Sequence, residues 1–192
     1  MEKKRCNWCL SSEKMIHYHD QEWGVPVHSD IKLFEFLVLD TFQAGLSWST
    51  VLNKRENFSK AFAAFDAEKI SRFTDAKLEK ILLDPGIIRN RLKVFGTRSN
   101  AMAYLKIQEK EGSFDAFIWQ FTDGKPLLNA RKNMKEMPAS TLQSDAMSKE
   151  LKRRGFTFVG TTICYAFMQA AGMVNDHLTD CFRYDELTQM TY

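Results

Sequence analysis

Apolar residues recur at helical spacing along most of this chain. Ser29-Asp30 can cap a helix carrying Leu33, Phe34, Leu37 and Val38 on one face. Ser47 can cap a second helix, running through Val51, Leu52, Phe58 and Phe62. Asp66 and Asp75 read as caps of two short helices, and Asp84-Pro85-Gly86 as a turn after them. Helical spacing returns from Arg89 to Leu105, and Phe114 to Phe121 predicts a short aromatic-rich helix. Gly124 through Pro138 reads as loop. Ser144 opens an amphipathic helix that closes at Gly155. Thr161 or Thr162 opens an apolar one, Ile163 to Ala171, with Gly172 just past its end. No segment alternates convincingly with the period of a strand. The pattern predicts an all-α chain of roughly nine or ten helices, with no internal repeat and no linker.

Composition narrows the class. A chain of 192 residues suits one domain, and we take 1–192 as a single unit. At 44% hydrophobic and 12% aromatic it can bury a real core, which argues against disorder. The net charge of +3 permits a nucleic-acid partner if the basic residues gather on one face. No apolar stretch approaches a membrane span. The charged start, Met1 to Arg5, is followed by no apolar signal core. A cytoplasmic protein is therefore expected, and in that reducing setting clustered Cys and His mean metal more often than disulfide.

The cysteines and histidines gather at the two ends. His177 and Cys181 are four apart, so on a helix they would face one way, as ligands of one ion must. Two completions compete. Cys6-Asn7-Trp8-Cys9 has the C-x2-C spacing of a zinc knuckle, and spacing alone favours it slightly. Cys6 with His19 is the other. Asp20 and Asp176 sit beside candidate ligands and could orient an imidazole. Four protein ligands leave no vacant position for water, so the ion would be structural rather than catalytic. The bland alternative leaves these residues as ordinary core and surface positions.

Longer blocks carry a resemblance. Tyr18-His19-Asp20-Gln21-Glu22-Trp23-Gly24-Val25-Pro26, Gln43-Ala44-Gly45-Leu46-Ser47-Trp48 and Asp84-Pro85-Gly86-Ile87-Ile88-Arg89-Asn90 are three of them. Lys152-Arg153-Arg154-Gly155-Phe156 and Phe158-Val159-Gly160-Thr161-Thr162-Ile163-Cys164-Tyr165 follow, continuing through Gln169-Ala170 to Val174-Asn175-Asp176-His177. In this order the blocks resemble the 3-methyladenine DNA glycosylase I family over nearly the whole chain. The resemblance implies an all-α helix-hairpin-helix fold. It also implies one structural Zn2+ per chain on Cys6, His19, His177 and Cys181, joining a segment of roughly 1–28 to 172–192, and so favours His19 over Cys9. The implied activity is excision of 3-methyladenine from alkylated double-stranded DNA by a monomer, leaving an abasic site.

The implied chemistry assigns roles. A glycosylase takes the damaged nucleotide out of the stack and holds it. Trp48 and Tyr18 match the family's stacking residues, and Trp8 and Met15 fall with them among the base-binding positions. Cation–π attraction to Trp, worth about 2 kcal/mol when desolvated, separates an alkylated cationic base from adenine. Met15 stands where the family often has Tyr, and His17 could compensate. Asp40, the catalytic candidate, falls where the family normally carries Glu. A carboxylate inside the run Leu37-Val38-Leu39-Asp40-Thr41-Phe42 is costly to bury without a partner, which supports a pocket role. For DNA, the turn at Gly86 and Ile87 could present backbone N–H groups to a phosphate, with Arg89, Arg91 and Lys93 following. Lys149, Lys152, Arg153 and Arg154 form a second basic run. Ala44-Gly45-Leu46 could wedge into the gap left by the flipped base. Two other readings compete: a DNA-binding relative with an altered or inactive pocket, and a zinc-stabilised helical protein without a nucleic-acid role.

Overall fold

The computed structural model describes residues 3–190. They form α1 (Glu13–Gln21), α2 (Asp30–Gln43), α3 (Trp48–Ala61), α4 (Ala67–Ser71), α5 (Asp75–Leu82), α6 (Arg91–Glu111) and α7 (Phe114–Trp119). After these come β1 (Leu127–Leu128), α8 (Leu142–Arg153), α9 (Thr161–Ala170), β2 (Val174–Asn175) and α10 (Phe182–Thr188). No helix among the described residues is long and apolar enough to cross a membrane.

Local chemistry sets most helix starts. Ser12, Ser47, Asp66, Thr74, Asn90, Ser113 and Thr141 each accept the backbone N–H three residues on, satisfying an otherwise orphaned donor. Thr74 and Thr141 take the places expected for Asp75 and Ser144. Ser144 is instead the reciprocal partner of a capping box, its hydroxyl accepting from Thr141 N at 2.8 Å. Asp30 has a different task from the expected cap. Its carboxylate accepts from the Phe114 and Asp115 amides at 2.9 and 2.8 Å, capping α7 across the fold.

α2 is buried on nearly every side from Leu33 to Phe42, the mark of a central helix. α3, α6, α7 and α9 pack around it. Phe42, Phe58 and Phe62 pack ring to ring where α2 meets α3. Polar Asp40 therefore sits in the middle of the core helix.

The sequence pattern had no strand, but β1 pairs with β2 in parallel, Leu127 opposite Val174. Two residues are too few for a periodic signal to register. The pair ties the 129–137 segment, expected as loop, to the stretch from 174 onward: Asn129 N donates to Asn175 O and Thr179 N to Arg131 O. Gly172, with φ +69°, closes α9 as expected. A Cβ there would lie 2.3 Å from the Val25 and Pro26 backbone, so the chain after α1 crosses directly over this glycine.

Candidate active site and metal cluster

A cavity of about 390 Å³ opens between α1, α2, α3 and α9, within the range of roughly 300–1,000 Å³ usual for small-molecule sites. Met15, Tyr18, Asp40 and Trp48 line it as expected, with Trp8 and Trp23 at one side. Helical spacing puts Met15, Tyr18 and His19 on one buried face of α1. The first two face the cavity; His19 reaches the Cys6–His177–Cys181 cluster. Tyr18 and Trp48 are tilted neighbours, ring centroids 5.0 Å apart, and Trp8 meets Trp23 edge-on at 4.9 Å. Arg55 of α3 braces this wall from outside, donating to Glu35 of α2 at 2.7 Å and to Glu22 at 2.9 Å.

Asp40 is 2% exposed, and its Oδ2 has no hydrogen-bond partner. Burial pushes its carboxyl well above the usual carboxylate range. Burial, and then the nearby Asp40 charge, pushes the Tyr18 phenol upward. Trp48 Nε1 is likewise buried and unpartnered. Among the described residues, four buried side-chain polar atoms lack a hydrogen-bond partner, and two of them belong to residues lining this one cavity. An orphan acceptor and an orphan donor in one aromatic pocket are groups prepared for a ligand, because leaving either unmet costs about 1–3 kcal/mol.

Met134, Met137, Gln43 and Gln169 also line the cavity, and no role had been assigned to them. Gln43 and Gln169 stood in the motif blocks. The two methionines carry no sequence signal, because long-range contacts bring their segment to the site: the β1–β2 pairing, Thr179 N donating to Arg131 O, and Gln169 Nε2 meeting Met137 Sδ at 3.3 Å. Gln169 Nε2 donates to Asp176 Oδ2 at 2.8 Å, and the Tyr165 hydroxyl donates to the same oxygen at 2.5 Å. Asp176 thus fixes a pocket amide rather than orienting an imidazole. His17 is exposed and absent from the lining, so it does not replace the phenol missing at Met15.

Cys6, His19, His177 and Cys181 are all buried, and their ligand atoms lie within 4.8 Å of one another. Cys181 Sγ is 3.4 Å from His19 Nε2 and 3.6 Å from His177 Nδ1, and Cys6 Sγ is 3.9 Å from His177 Nδ1. Tetrahedral bonds of about 2.3 Å to sulfur and about 2.0 Å to nitrogen separate ligands by about 3.3–3.8 Å, so the donor set fits a metal ion of that geometry. The outer nitrogens are committed. His19 Nδ1 meets Asp20 Oδ1 at 2.8 Å, with Arg5 bridging that carboxylate, and His177 Nε2 meets Trp23 O at 3.0 Å. A shared hydrogen bond couples the two thiols, pulling Cys181 down and pushing Cys6 up. Cys9 stands outside the cluster, its Sγ donating to Cys6 O at 3.1 Å. The expected helix through His177 and Cys181 is absent. His177 lies in irregular chain and Cys181 is the cap of α10, brought round by a turn closed by Cys181 N to Leu178 O.

The candidate DNA-facing residues divide. Gly45, with φ +82°, and Leu46, 43% exposed, lie between α2 and α3, in the loop between cavity-lining Gln43 and Ser47. In the turn before α6, Gly86 N already donates to Asp84 Oδ1 at 2.6 Å, and the Ile87 side chain is buried in the core. Arg89 is exposed. Lys93 is not a surface cation: it is 6% exposed and donates to Phe42 O and Ala44 O. Arg91 is paired with Glu79, Arg153 with Glu150, and Arg154 with Glu150 and Glu111, so much of the expected basic surface is neutralised internally.

Comparison with known proteins bears on this geometry. The sequence pattern of a family described as methyladenine glycosylase matches residues 8–184. DNA-3-methyladenine glycosylase 1 of Escherichia coli (strain K12) is 47% identical over 181 residues, 94% of this chain and 97% of that protein. A crystal structure of 3-methyladenine DNA glycosylase I superimposes with a TM-score of 0.91 at 49% identity, covering 93% of this chain and 98% of that one. A variant of 3-methyladenine DNA glycosylase I solved in complex with 3-methyladenine matches with a TM-score of 0.90 at 32% identity, covering 93% and 96% of the two chains.

Proposed function

We infer function from one premise: this chain belongs to the methyladenine glycosylase family. It is a base-excision glycosylase that hydrolyses the N-glycosidic bond of 3-methyladenine in alkylated DNA. We propose that the reaction is monofunctional and leaves an abasic site. The observation that carries this reading is that unpartnered Asp40 Oδ2 and unpartnered Trp48 Nε1 belong to residues lining one aromatic cavity.

In this reading the flipped base enters between the Trp48 and Tyr18 faces. Its positive charge supplies the partner that the fold withholds from Asp40, so a neutral adenine gains less from the same pocket. The bond to a cationic base is weak from the start. As it breaks, the bonding pair passes to the base and neutralises it, while positive charge develops on the sugar. Asp40, itself buried, stabilises that charge from the wall of the cavity. Water adds to the sugar carbon and loses a proton, so substrate and water yield a neutral base, an abasic hydroxyl and one proton. No lysine lines the cavity among the described residues, in keeping with hydrolysis rather than an imine step.

The four-residue cluster supports one structural Zn2+, held by Cys6, His19, His177 and Cys181. When bound, the ion cross-links chain segments from the two ends of the sequence. Tyr18 precedes ligand His19, and Trp23 O accepts from ligand His177, so the cross-link braces two walls of the cavity. The 84–90 turn between α5 and α6 supports the hairpin of a helix-hairpin-helix element that grips the DNA backbone through exposed Arg89. Leu46 serves as the wedge.

The test is release of free 3-methyladenine from methylated duplex DNA. Wild type releases it, Asp40→Asn loses most of the rate and Asp40→Glu keeps a substantial part. Tight duplex binding by wild type without release would replace this reading with that of a non-catalytic relative.

A further inference from the structure

Lys93 stands in an unfavourable place for its own helix. It lies in the first turn of α6, where the partial positive pole of the helix disfavours a cation. It is also 6% exposed, and burial pulls its ammonium below the usual lysine range. These costs are met elsewhere. Lys93 Nζ donates to Phe42 O at 3.0 Å and to Ala44 O at 2.7 Å. These carbonyls belong to the C-terminal end of α2, where the pole is negative and carbonyls lack helical partners. The carbonyl between them, Gln43 O, accepts from Leu46 N at 2.7 Å.

The segment held this way is unsupported on its outer side. A Cβ on Gly45 would have nothing within 4 Å, and Leu46 is exposed. Its placement is therefore set from below. Lys93 sits three residues past Asn90, the cap that ends the 84–90 turn, and its own amide donates to Asn90 Oδ1 at 3.1 Å. One side chain thus spans from the start of α6 to the Ala44–Leu46 loop.

We propose that Lys93 is a positioning residue for base flipping, fixing the Leu46 wedge relative to the backbone-gripping turn so that the two engage the duplex together. This rests on the wedge role given to Leu46 above. The role is distinct from phosphate binding, since the ammonium is buried and engaged.

The experiment compares binding of duplexes with and without a tetrahydrofuran abasic analogue, for wild type, Lys93→Met, Leu46→Ala and the double variant. Lys93→Gln, which retains two donors, serves as the second variant should the methionine fold poorly. Binding of free 3-methyladenine, followed by tryptophan fluorescence, monitors the pocket. We expect Lys93→Met to lower the preference for the abasic duplex about tenfold, within the range of coupling between contacting groups, while free-base binding is unchanged. In the Leu46→Ala background the same substitution should cost little more. An unchanged preference, an additive double variant, or a parallel loss of free-base binding would each overturn the proposal. Leu46→Ala without any loss would instead remove the wedge reading on which it stands.

Discussion

Replacing Asp40 by asparagine should make the ligand-free protein more stable and the enzyme slower. The side chains are nearly isosteric, so the change removes charge from a site buried within α2 while leaving the packing in place. In the folded chain Oδ2 has no partner and burial raises the carboxyl well above its usual range. In the unfolded chain it titrates near about 3.9. Below that pH both states are protonated and the group carries no penalty. As pH rises toward the raised folded value, the unfolded chain ionises first, and stability is lost until the penalty is complete. A buried unmet polar group costs about 1–3 kcal/mol. The asparagine keeps an amide with needs of its own, so we expect a gain of about 1–2 kcal/mol at pH 8, or about 2–8 °C in Tm for a chain of this length. Thermal unfolding of both proteins from pH 4.5 to pH 8 checks this: the gap should be small at the acid end and widen upward. In single-turnover release of 3-methyladenine, loss of a charge-assisted contact of about 1.5–3 kcal/mol predicts a slowing of about ten- to hundredfold. A variant less stable than wild type at pH 8, or a gap independent of pH, would refute the assignment of Asp40 as an uncompensated pocket carboxyl.

Other substitutions probe the remaining parts. Elemental analysis should find one zinc per chain in wild type and in Cys9→Ala, and loss of the metal together with a lowered Tm in His19→Ala. Gly24→Ala introduces a Cβ 3.1 Å from His177 Nε2 at φ +80°; weaker zinc retention against a chelator is expected, because the imidazole must shift. Gly172→Ala is harsher, with backbone atoms 2.3 Å away that cannot give, and we expect little soluble protein or a loss of more than about 4 kcal/mol in denaturant titration. Arg89→Ala should weaken duplex binding uniformly across sequences and reduce the slope of log affinity against log salt by about one.

Much of the fold could be read locally. Helix starts depend on a side-chain oxygen reaching an amide three residues on, so Ser47, Asp66 and the apolar spacing after them were sufficient. Asp75 and Ser144 stand one and three residues past the true caps, Thr74 and Thr141, because several polar side chains near a helix start can each be drawn as its cap, and only the backbone decides which one reaches. The pocket was legible in part. Asp40 is conspicuous as a charge in an apolar run, whereas Trp48 takes its role only from the family blocks. Met134 and Met137 could not be found, because the two-residue parallel pairing that delivers them has no periodicity to detect.

By itself the sequence determined the helical class, the presence of a metal-type donor set at the two ends, and the family with its chemistry, since these depend on residue types and local spacing. Spacing favoured Cys9 and the resemblance favoured His19; tertiary structure brings the donors together, the Cys9 thiol turning to the Cys6 carbonyl while His19 reaches the cluster from α1. It also decided that Lys93 caps α2 instead of meeting phosphate, and that Asp176 holds Gln169 instead of an imidazole. In each case the residue's chemistry allowed several partners. The winner was set by which groups the packing of distant segments brought within about 3 Å, a hydrogen bond's length.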